Sequence, residues 1–566
     1  MNKKNIVFTA IFAALIVPLA CSKKFLNPPS TRLTTSDAFF QTASDGVALV
    51  NGIYDTYQNA DLLKKSIWYY ANFQTHDFFN WGNDRAYNIY QIPTDFGAME
   101  VFWSRAYVGI ARANTAFGII ASMKTKGILT AALADRLTGE TYFLRGMTYY
   151  YLAASFGGVP LELNAVTTGL NPRSSQDSVF AQVVSDMKNA ASLLPWKADL
   201  AAADLGRATK GAALGYEGAA QMWIKDYAGA LASFNQLDGK YSLLPNFVDV
   251  NEYDHQNSDE SLFEVQFEAN GTQSWGAGNE VAWISDFSWP EEISNFGYDY
   301  GNPGLYLSYQ AGDKRKLATI IGPGDSLVSP GIIAKGGIRS YPLVVAGFSS
   351  GDTRYIGTDG KAINTCGTFA NPWLGSDKGR TGYYCSKMWR DPTLTGNSGS
   401  QVIFGAQNQI LLRYAEVLLD KAECQIRTGD VAGGLATLKI VRDRAWGGSA
   451  PATMQDGAKY DGTPAAPITD PLEMVYSEYR HELSGEYSTF YDLRRAGVAI
   501  AFVKAAYGTV DGNTNPIANP APGPGNDGLV HGLYNTSMSA GRDLYPIPQL
   551  EIGLNPNLKQ NPAYGN

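Results

Sequence analysis

The 566-residue chain is 45% hydrophobic and has a formal net charge of −8, from 45 Lys and Arg against 53 Asp and Glu. This apolar content excludes wholesale disorder, and the acidic balance argues against a nucleic-acid-binding surface. Only 17% of the residues are charged, whereas 12% are aromatic. So many rings must either be buried or be displayed to a ligand.

The first twenty residues have the pattern of an export signal. Lys3 and Lys4 precede an uncharged apolar run over 6–20, which is short for a membrane-spanning helix. The run ends directly before Cys21, as in bacterial lipoprotein signals, although Pro18 stands where such signals usually carry Leu. We predict a signal peptide over 1–20 and an acylated Cys21 that anchors the mature chain. The alternative is an ordinary signal peptide followed by a chance cysteine.

Apolar residues recur at helical spacing towards both ends of the chain. The predicted helices span 37–58, 98–123, 130–155, 177–194, 207–224, 226–237, 408–427, 430–445, 471–486 and 489–505. From about 240 to 405 the pattern changes to short strand-like pieces, such as 261–267, between clusters of Gly, Pro, Asn and Asp. The sequence therefore predicts a mostly α-helical protein with a large irregular insertion of loops and short strands.

Two helical pairs are similar to tetratricopeptide (TPR) repeats. The segment 210–237 has Gly218, Ala230 and Phe234 at comparable spacing, and 408–446 has the same outline. Small residues let two helices approach closely while bulky ones fill the space between pairs. The strict repeat signature is incomplete, so we predict a TPR-like scaffold of helical hairpins that carries the insertion.

No catalytic or metal-binding motif has the context that its chemistry needs. The GFSSG sequence at 347–351 matches a nucleophile elbow, but turn-forming residues follow it where a helix is required. Glu291 and Glu292 are a candidate carboxylate pair for a glycosidase, yet adjacent side chains usually point apart. The four histidines are far apart in the sequence. We predict no catalytic residues, no metal and no cofactor.

Charged and sulfur-containing side chains have structural interpretations. Arg413 and Glu416 are spaced to form an ion pair on one helix. A second set is predicted to link helices through a charge network: Arg480, Glu482, Glu486 and Arg494.

Cys366 and Cys385 could form a disulfide in an oxidising compartment, whereas Cys424 lies in a helical run and is predicted to be a buried thiol.

Three segments combine aromatic rings with amides and charges, as carbohydrate-binding sites do. Rings stack on the apolar faces of sugars while polar side chains bind the hydroxyl groups. The segments are 76–90, 275–306 and the stretch that contains Trp373, Tyr383 and Tyr384. The candidate ligand-binding residues are Trp81, Asn83, Arg85, Tyr87, Trp275, Trp283, Trp289 and Tyr298. For any single ring, burial in the core is the alternative.

Five blocks carry a family resemblance, together with the CSKKFL start after the signal. They are FWSRAYVGIARAN (102–114), GETYFLRGMTYYYLAASFGGVPL (139–161), ILLRYAEVLLDKAE (410–423), RHELSGEYSTFYDLRRAG (480–497) and LYPIPQLEIGLNPNLKQNPAY (544–564). In this order they resemble the SusD/RagB family of Bacteroidetes outer-membrane lipoproteins. The resemblance implies one compact unit, with an N-terminal helical part at 21–240, the insertion at 241–405 and a C-terminal part at 406–566.

The resemblance also implies a function. It predicts a non-catalytic, lipid-anchored protein at the cell surface that binds oligosaccharide and delivers it to a SusC-like TonB-dependent transporter in the outer membrane. A peptide-capturing protein of the same family is one alternative, and a surface hydrolase on the same scaffold is another. The family's ligand residues lie on loops in the N-terminal region and the insertion, and none transfers by motif to a position of this chain.

Overall fold

The structure is a computed structural model that describes residues 39–80, 84–88, 90–268, 288, 299–322, 325–334, 338–340, 352–357, 362–366, 383–388, 390, 406–458, 464–507 and 541–565. The predicted signal peptide and Cys21 lie outside these residues. Among the described helices, none is both long enough and apolar enough to cross a membrane.

The N-terminal part is built from helices. They are α1 (Ala43–Tyr54), a π-helical segment (Asp61–Trp68) that continues into α2 (Tyr69–Phe73), α3 (Arg85–Asn88), α4 (Gly97–Thr125), α5 (Ala131–Phe156), α6 (Gln176–Leu193), α7 (Lys210–Trp223) and α8 (Tyr227–Asn235). Side-chain oxygens cap the first turns of several helices, because the leading N–H groups have no partner within the helix. These caps are Thr42, Thr130, Ser175, Thr209 and Asp226.

Short helices and strands follow, and longer helices then return. The helices are α9 (Pro303–Ser308), α10 (Arg315–Thr319), α11 (Pro330–Ala334), α12 (Tyr414–Arg427), α13 (Val431–Trp446), α14 (Pro471–Leu483), α15 (Thr489–Arg495), α16 (Ala499–Tyr507) and α17 (Gln549–Leu554). The mostly helical fold with a strand-containing insertion is confirmed.

The strands form small antiparallel sheets. They are β1 (Phe78–Asn80), β2 (Ser261–Val265), β3 (Asp299–Gly301), β4 (Ile320–Ile321), β5 (Ile338–Ser340), β6 (Asp352–Gly357), β7 (Ala362–Cys366), β8 (Tyr384–Cys385) and β9 (Gln409–Arg413). The pairs are β1 with β3, β2 with β9 and β4 with β8, and β5, β6 and β7 form a three-stranded sheet.

The helical hairpins pack as the small residues predict. A Cβ atom on Gly218 of α7 would lie 2.4 Å from the ring of Phe234 on α8, so the two helices are in close contact at this glycine. In the second pair, Gly434 of α13 faces Ile426 and the carbonyl of Ala422 on α12. Helices α8 and α14 both pack against α12, which joins the N-terminal and C-terminal parts around one core.

The predicted helix over 408–427 is wrong at its start. Residues 409–413 form β9, which pairs with β2, and the helix begins only at Tyr414. A short apolar run such as Ile410–Leu412 suits a buried strand as well as a helix, and only the pairing with residues about 150 positions earlier decides between them. The helix predicted over 489–505 is interrupted between α15 and α16.

The predicted charge network forms only in part. Glu482 and Glu486 lie in one buried network, whereas Arg480 and Arg494 pair with Asp77 and Asp543 instead. Glu482 accepts hydrogen bonds from Arg413 (2.6 Å) and Arg315 (3.0 Å), and it also contacts Arg444. Glu486 binds Arg413 and Lys387, with nitrogen–oxygen distances of 2.7 and 2.6 Å. Glu482, Glu486 and the basic side chains that bind them are all buried, so each charge is matched inside the core.

The predicted pair between Arg413 and Glu416 does not form. Strand β9 turns the Arg413 guanidinium towards Glu260, Glu482 and Glu486 instead.

The possible disulfide between Cys366 and Cys385 is also absent, since Cys385 is a free thiol. Burial raises the pKa of the Cys385 thiol to about 12. Cys424 is a buried free thiol, as predicted.

Candidate ligand-binding site

Two of the three aromatic segments meet in a two-stranded ribbon. Strand β1 belongs to the first segment and β3 to the second, and Asn80 is paired with Asp299 at one end. The sequence continues from Asn80 into 81–83 and returns from 289–298 to Asp299. Both predicted ligand loops are therefore attached to the same end of the ribbon.

The third segment joins the other side of β3. The backbone N–H of Gly301 donates to the carbonyl of Tyr383 (2.8 Å), and the ring of Tyr384 packs against Tyr300 with centroids 5.8 Å apart. The rings of Tyr306 and Tyr383 lie 5.0 Å apart, and both are half-buried. The described parts of all three aromatic segments thus converge around β3.

A buried carboxylate holds the ribbon to the helices beneath it. Asp299 accepts hydrogen bonds from Asn80 (2.9 Å) and Tyr69 (3.2 Å) and forms an ion pair with Lys64 (3.1 Å). Lys64 comes from the π-helical segment, which the sequence analysis missed. Such segments are frequent at functional sites, where the extra residue redirects side chains.

A second buried ion pair fixes the start of β1. Arg480 of α14 and Ser484 donate to the two carboxylate oxygens of Asp77, at 2.8 and 2.9 Å. Asp77 and Asn80 are therefore part of the scaffold, and their burial keeps them from contacting a ligand. Arg494, the fourth member of the predicted network, pairs with Asp543 at 3.0 Å.

Tyr87 was predicted to stack on a ligand, and this prediction is wrong. Its side chain is fully buried, and its ring packs edge-on against Tyr69 (5.5 Å), Phe96 (5.6 Å) and Tyr545 (5.9 Å). The polar residues around Tyr87 in the sequence hide the fact that α3 turns this position towards the core. Tyr90 is likewise buried.

The side chains of the other predicted site residues lie outside the described part of the structure. Arg85 lies in α3, where only its backbone is described. The remaining candidates lie outside the described residues: Trp81, Asn83, Trp275, Trp283, Trp289 and Tyr298. Their contact with a ligand stays a prediction, although the ribbon brings the ends of their loops together.

One carboxyl group at the site has a strongly shifted pKa. Asp84 lies directly before α3 and is half-buried. Burial raises the pKa of its carboxyl group to about 6, and the negative charges of Asp299 and Asp61 add to this effect against the attraction of Lys65 and Lys64. Asp84 therefore changes its charge near pH 6, next to the predicted ligand loop.

Replacing Asp84 with asparagine tests this shift. A carboxyl group whose pKa rises on folding contributes stability below its unfolded pKa, and this contribution is lost as the pH rises through about 6. We expect Asp84→Asn to remove this part of the pH dependence and to melt no lower than the wild type at pH 8. Thermal melts between pH 4 and 8 measure both effects, with Asp254→Asn at an exposed position as the control. If the melting temperature of Asp84→Asn varied with pH as that of the wild type does, the raised pKa of Asp84 would be contradicted.

Among the described residues, one group of side chains can hold a metal ion. Glu416, Asp420 and Asp492 are buried and bring carboxylate oxygens within 4.8 Å of one another. Arg495 already pairs with Asp420 (2.9 Å) and Asp492 (3.3 Å). Burial, together with the neighbouring negative charges, raises the pKa values of Glu416 and Asp492. This cluster could not be predicted from the sequence, because it joins α12 to α15, which are far apart in the chain.

Comparison with known proteins identifies the family. Residues 250–564, more than half of the chain, match the family model described as the SusD family. Residues 29–219 match a second model, described as "Starch-binding associating with outer membrane". The chain belongs to the SusD family. The resemblance seen in the five sequence blocks is thereby confirmed.

Relatives of this SusD-family chain align along most or all of its length. SusD-like protein P25 of Formosa agariphila is 22% identical over 100% of this chain and 99% of its own. A SusD homolog from Bacteroides thetaiotaomicron has a similar structure, with a TM-score of 0.69, 21% identity and coverage of 93% of this chain and 98% of that one. Surface glycan-binding protein A from Bacteroides fluxus has a TM-score of 0.66 and 18% identity, with 92% and 99% coverage. At this level of identity the structural matches show a shared fold.

Proposed function

We propose that this SusD-family protein is a non-catalytic lipoprotein of the outer membrane. In this proposal it is lipidated at Cys21, faces the cell exterior, captures oligosaccharide and delivers it to a SusC-like TonB-dependent transporter. The observation that carries the proposal is the convergence of three aromatic, amide-rich segments around β3. The name of the similar Bacteroides fluxus protein, a surface glycan-binding protein, supports the same class of ligand.

The base of the proposed site suits binding. The buried pairs Asp77–Arg480 and Asp299–Lys64 hold the strand ends from which the ligand loops extend. A rigid base lowers the ordering cost of binding, because less of the site must be immobilised when a sugar arrives. Side chains of the loops, such as Trp81 and Trp283, would then supply ring faces, while Asn83 and Arg85 would bind hydroxyl groups.

The proposal of binding without catalysis has its own support. Hydrolysis of a glycosidic bond needs two carboxyl groups that can reach the bond from opposite sides. Of the carboxylates described at the ribbon, Asp299 and Asp77 are buried and engaged by basic side chains. They therefore stabilise the scaffold, whereas Asp84, beside the ribbon, is half-buried.

The proposal is tested with the purified chain on a glycan array, followed by calorimetric titration of the best ligand. We expect Trp81→Ala to weaken binding at least about tenfold, since stacking on one ring contributes on the order of 1 kcal/mol and also orders the ligand. Its melting temperature should stay within a few degrees of the wild type. Trp196→Ala, a half-buried tryptophan elsewhere in the chain, is the control that should keep the affinity.

Other outcomes would redirect or overturn the proposal. A large loss of stability in Trp81→Ala would assign this ring to the core. Unchanged affinity with an unchanged melt would move the site to Trp275, Trp283 and Trp289. Binding of peptides in place of glycans would indicate a peptide-capturing protein. Release of reducing ends, lost in Glu291→Gln or Glu292→Gln, would indicate a hydrolase.

A further inference from the structure

A cavity of about 400 Å³ lies between α4, the loop that follows α5 and the C-terminal segment. Hydrogen bonds hold its walls together. The Tyr107 hydroxyl donates to the carbonyl of Pro160 (2.8 Å), and the Asn114 amide donates to the carbonyl of Glu162 (2.9 Å). The Asn555 amide donates to the carbonyl of Asn171 (2.9 Å), so the cavity is a fixed part of the fold.

The cavity is acidic and has an aromatic floor. The rings of Trp103 and Tyr107 lie 5.1 Å apart, and Glu162 and Glu551 line the cavity. No Lys or Arg is among the described residues that line it. Neither glutamate forms an ion pair with a described residue, and burial together with Glu100 raises the pKa of Glu551. A cation would therefore find two carboxylates and two rings, with no Lys or Arg among the described lining residues.

Exposed apolar residues are concentrated in the segments that form this cavity. Of the ten large hydrophobic residues that are exposed among the described residues, one lines the cavity and five are sequence neighbours of lining residues. They are Val108, Leu163, Val166, Leu170, Leu550 and Leu554, with exposed fractions from 37% to 89%. Single exposed apolar residues are ordinary, but a cluster with a polar centre is typical of protein interaction surfaces.

We propose that the cavity and its apolar rim dock a protein segment that carries a Lys or Arg side chain between apolar residues. The basic side chain enters the cavity, where Glu162 and Glu551 neutralise it and the rings contact its stem and charged head. The flanking apolar side chains cover Val166, Leu550 and Leu554 on the rim. A sugar or a free amine would leave this rim exposed, so the charge and the rim together favour a protein segment.

The test uses the full-length protein in detergent and two peptides labelled with fluorescein at the N-terminal amine, fluorescein-LLRLL-amide and fluorescein-LLELL-amide. Fluorescence anisotropy should show saturable binding of the arginine peptide and at least tenfold weaker binding of the glutamate peptide. The double variant Glu162→Gln/Glu551→Gln should lose at least tenfold in affinity for the arginine peptide. Leu554→Ser should lose severalfold, whereas Ile440→Ser, which changes an exposed residue outside the rim, should bind as the wild type does.

Thermal melts check that each variant is folded. If the double variant unfolds, Glu551→Gln alone replaces it, because Glu551 is the less buried of the two carboxylates. Equal binding of both peptides would overturn the role of the acidic cavity. Binding of N-acetylarginine amide as tight as that of the arginine peptide would overturn docking of a segment and leave a small-cation site. Absence of saturable binding of the arginine peptide would overturn the proposal.

Discussion

Replacing Glu482 with glutamine is expected to lower the free energy of unfolding by about 3–5 kcal/mol. Glu482 is fully buried and contacts the guanidinium groups of Arg315, Arg413 and Arg444. Glutamine keeps the size of the side chain but removes its charge, so three buried cations lose a shared partner. Guanidinium unfolding at pH 7 measures the change.

The pH dependence of this effect has a definite sign. The three arginines hold the pKa of Glu482 well below its usual range in spite of burial. The stability that its charge contributes is therefore present above the unfolded pKa of about 4.3 and is lost as the pH falls further. We expect the difference between the wild type and Glu482→Gln to shrink below about pH 4.

A matched control lies on the same helix. Glu473 is exposed in the first turn of α14, and Glu473→Gln should change the free energy of unfolding by no more than about 0.5 kcal/mol. Equal losses in the free energy of unfolding for the two variants would show that the buried Glu482 stabilises the fold no more than the exposed Glu473 does.

The second large effect is expected at Gly218. Alanine there would place its Cβ atom 2.4 Å from the ring of Phe234, which is fully buried and cannot move into solvent. Overpacking of this kind costs about 1–3 kcal/mol of stability. Chemical denaturation of Gly218→Ala measures the loss, and Phe234→Leu combined with Gly218→Ala should recover part of it if the two side chains are coupled.

Gly118 provides the opposite case within a helix. It lies on the exposed side of α4, and nothing lies within 4 Å of a Cβ atom built there. Gly118→Ala should therefore stabilise the protein by up to about 1 kcal/mol, because alanine has the higher helix propensity. If Gly218→Ala and Gly118→Ala both raised the free energy of unfolding, close packing in the α7–α8 hairpin would be contradicted.

The long helices could be predicted from the sequence because each has a sustained apolar period. The spacing fixed α4 to within two residues of its observed ends, and the small residues of α7 and α8 indicated the hairpin. Short elements contain too few residues to show an apolar period that distinguishes helix from strand. The run at 410–412 was assigned to a helix, and the π-helical segment with Lys64 was missed.

Only part of the candidate site could be predicted from the sequence, and the reason is again the separation of its parts along the chain. Composition alone identified the aromatic segments, but the pairing of β1 with β3 joins residues more than 200 positions apart through strands of three residues. An even larger separation in the sequence hid the role of Asp77, whose partner Arg480 lies 403 positions later. Tyr87 was misassigned because a polar neighbourhood in the sequence does not reveal which way a short helix turns its rings.

The pairing of Asn80 with Asp299 has a consequence for how such a protein can change its ligand. Both proposed ligand loops begin on one fixed base, and each doubling of a loop's length costs only about 0.6 kcal/mol in closure entropy. Insertions, deletions and exchanges of residues within the loops therefore leave the buried pairs beneath the ribbon intact. A new ligand specificity can arise by substitution of a few dozen loop positions, while the helical scaffold and any surface through which it meets other proteins are inherited unchanged.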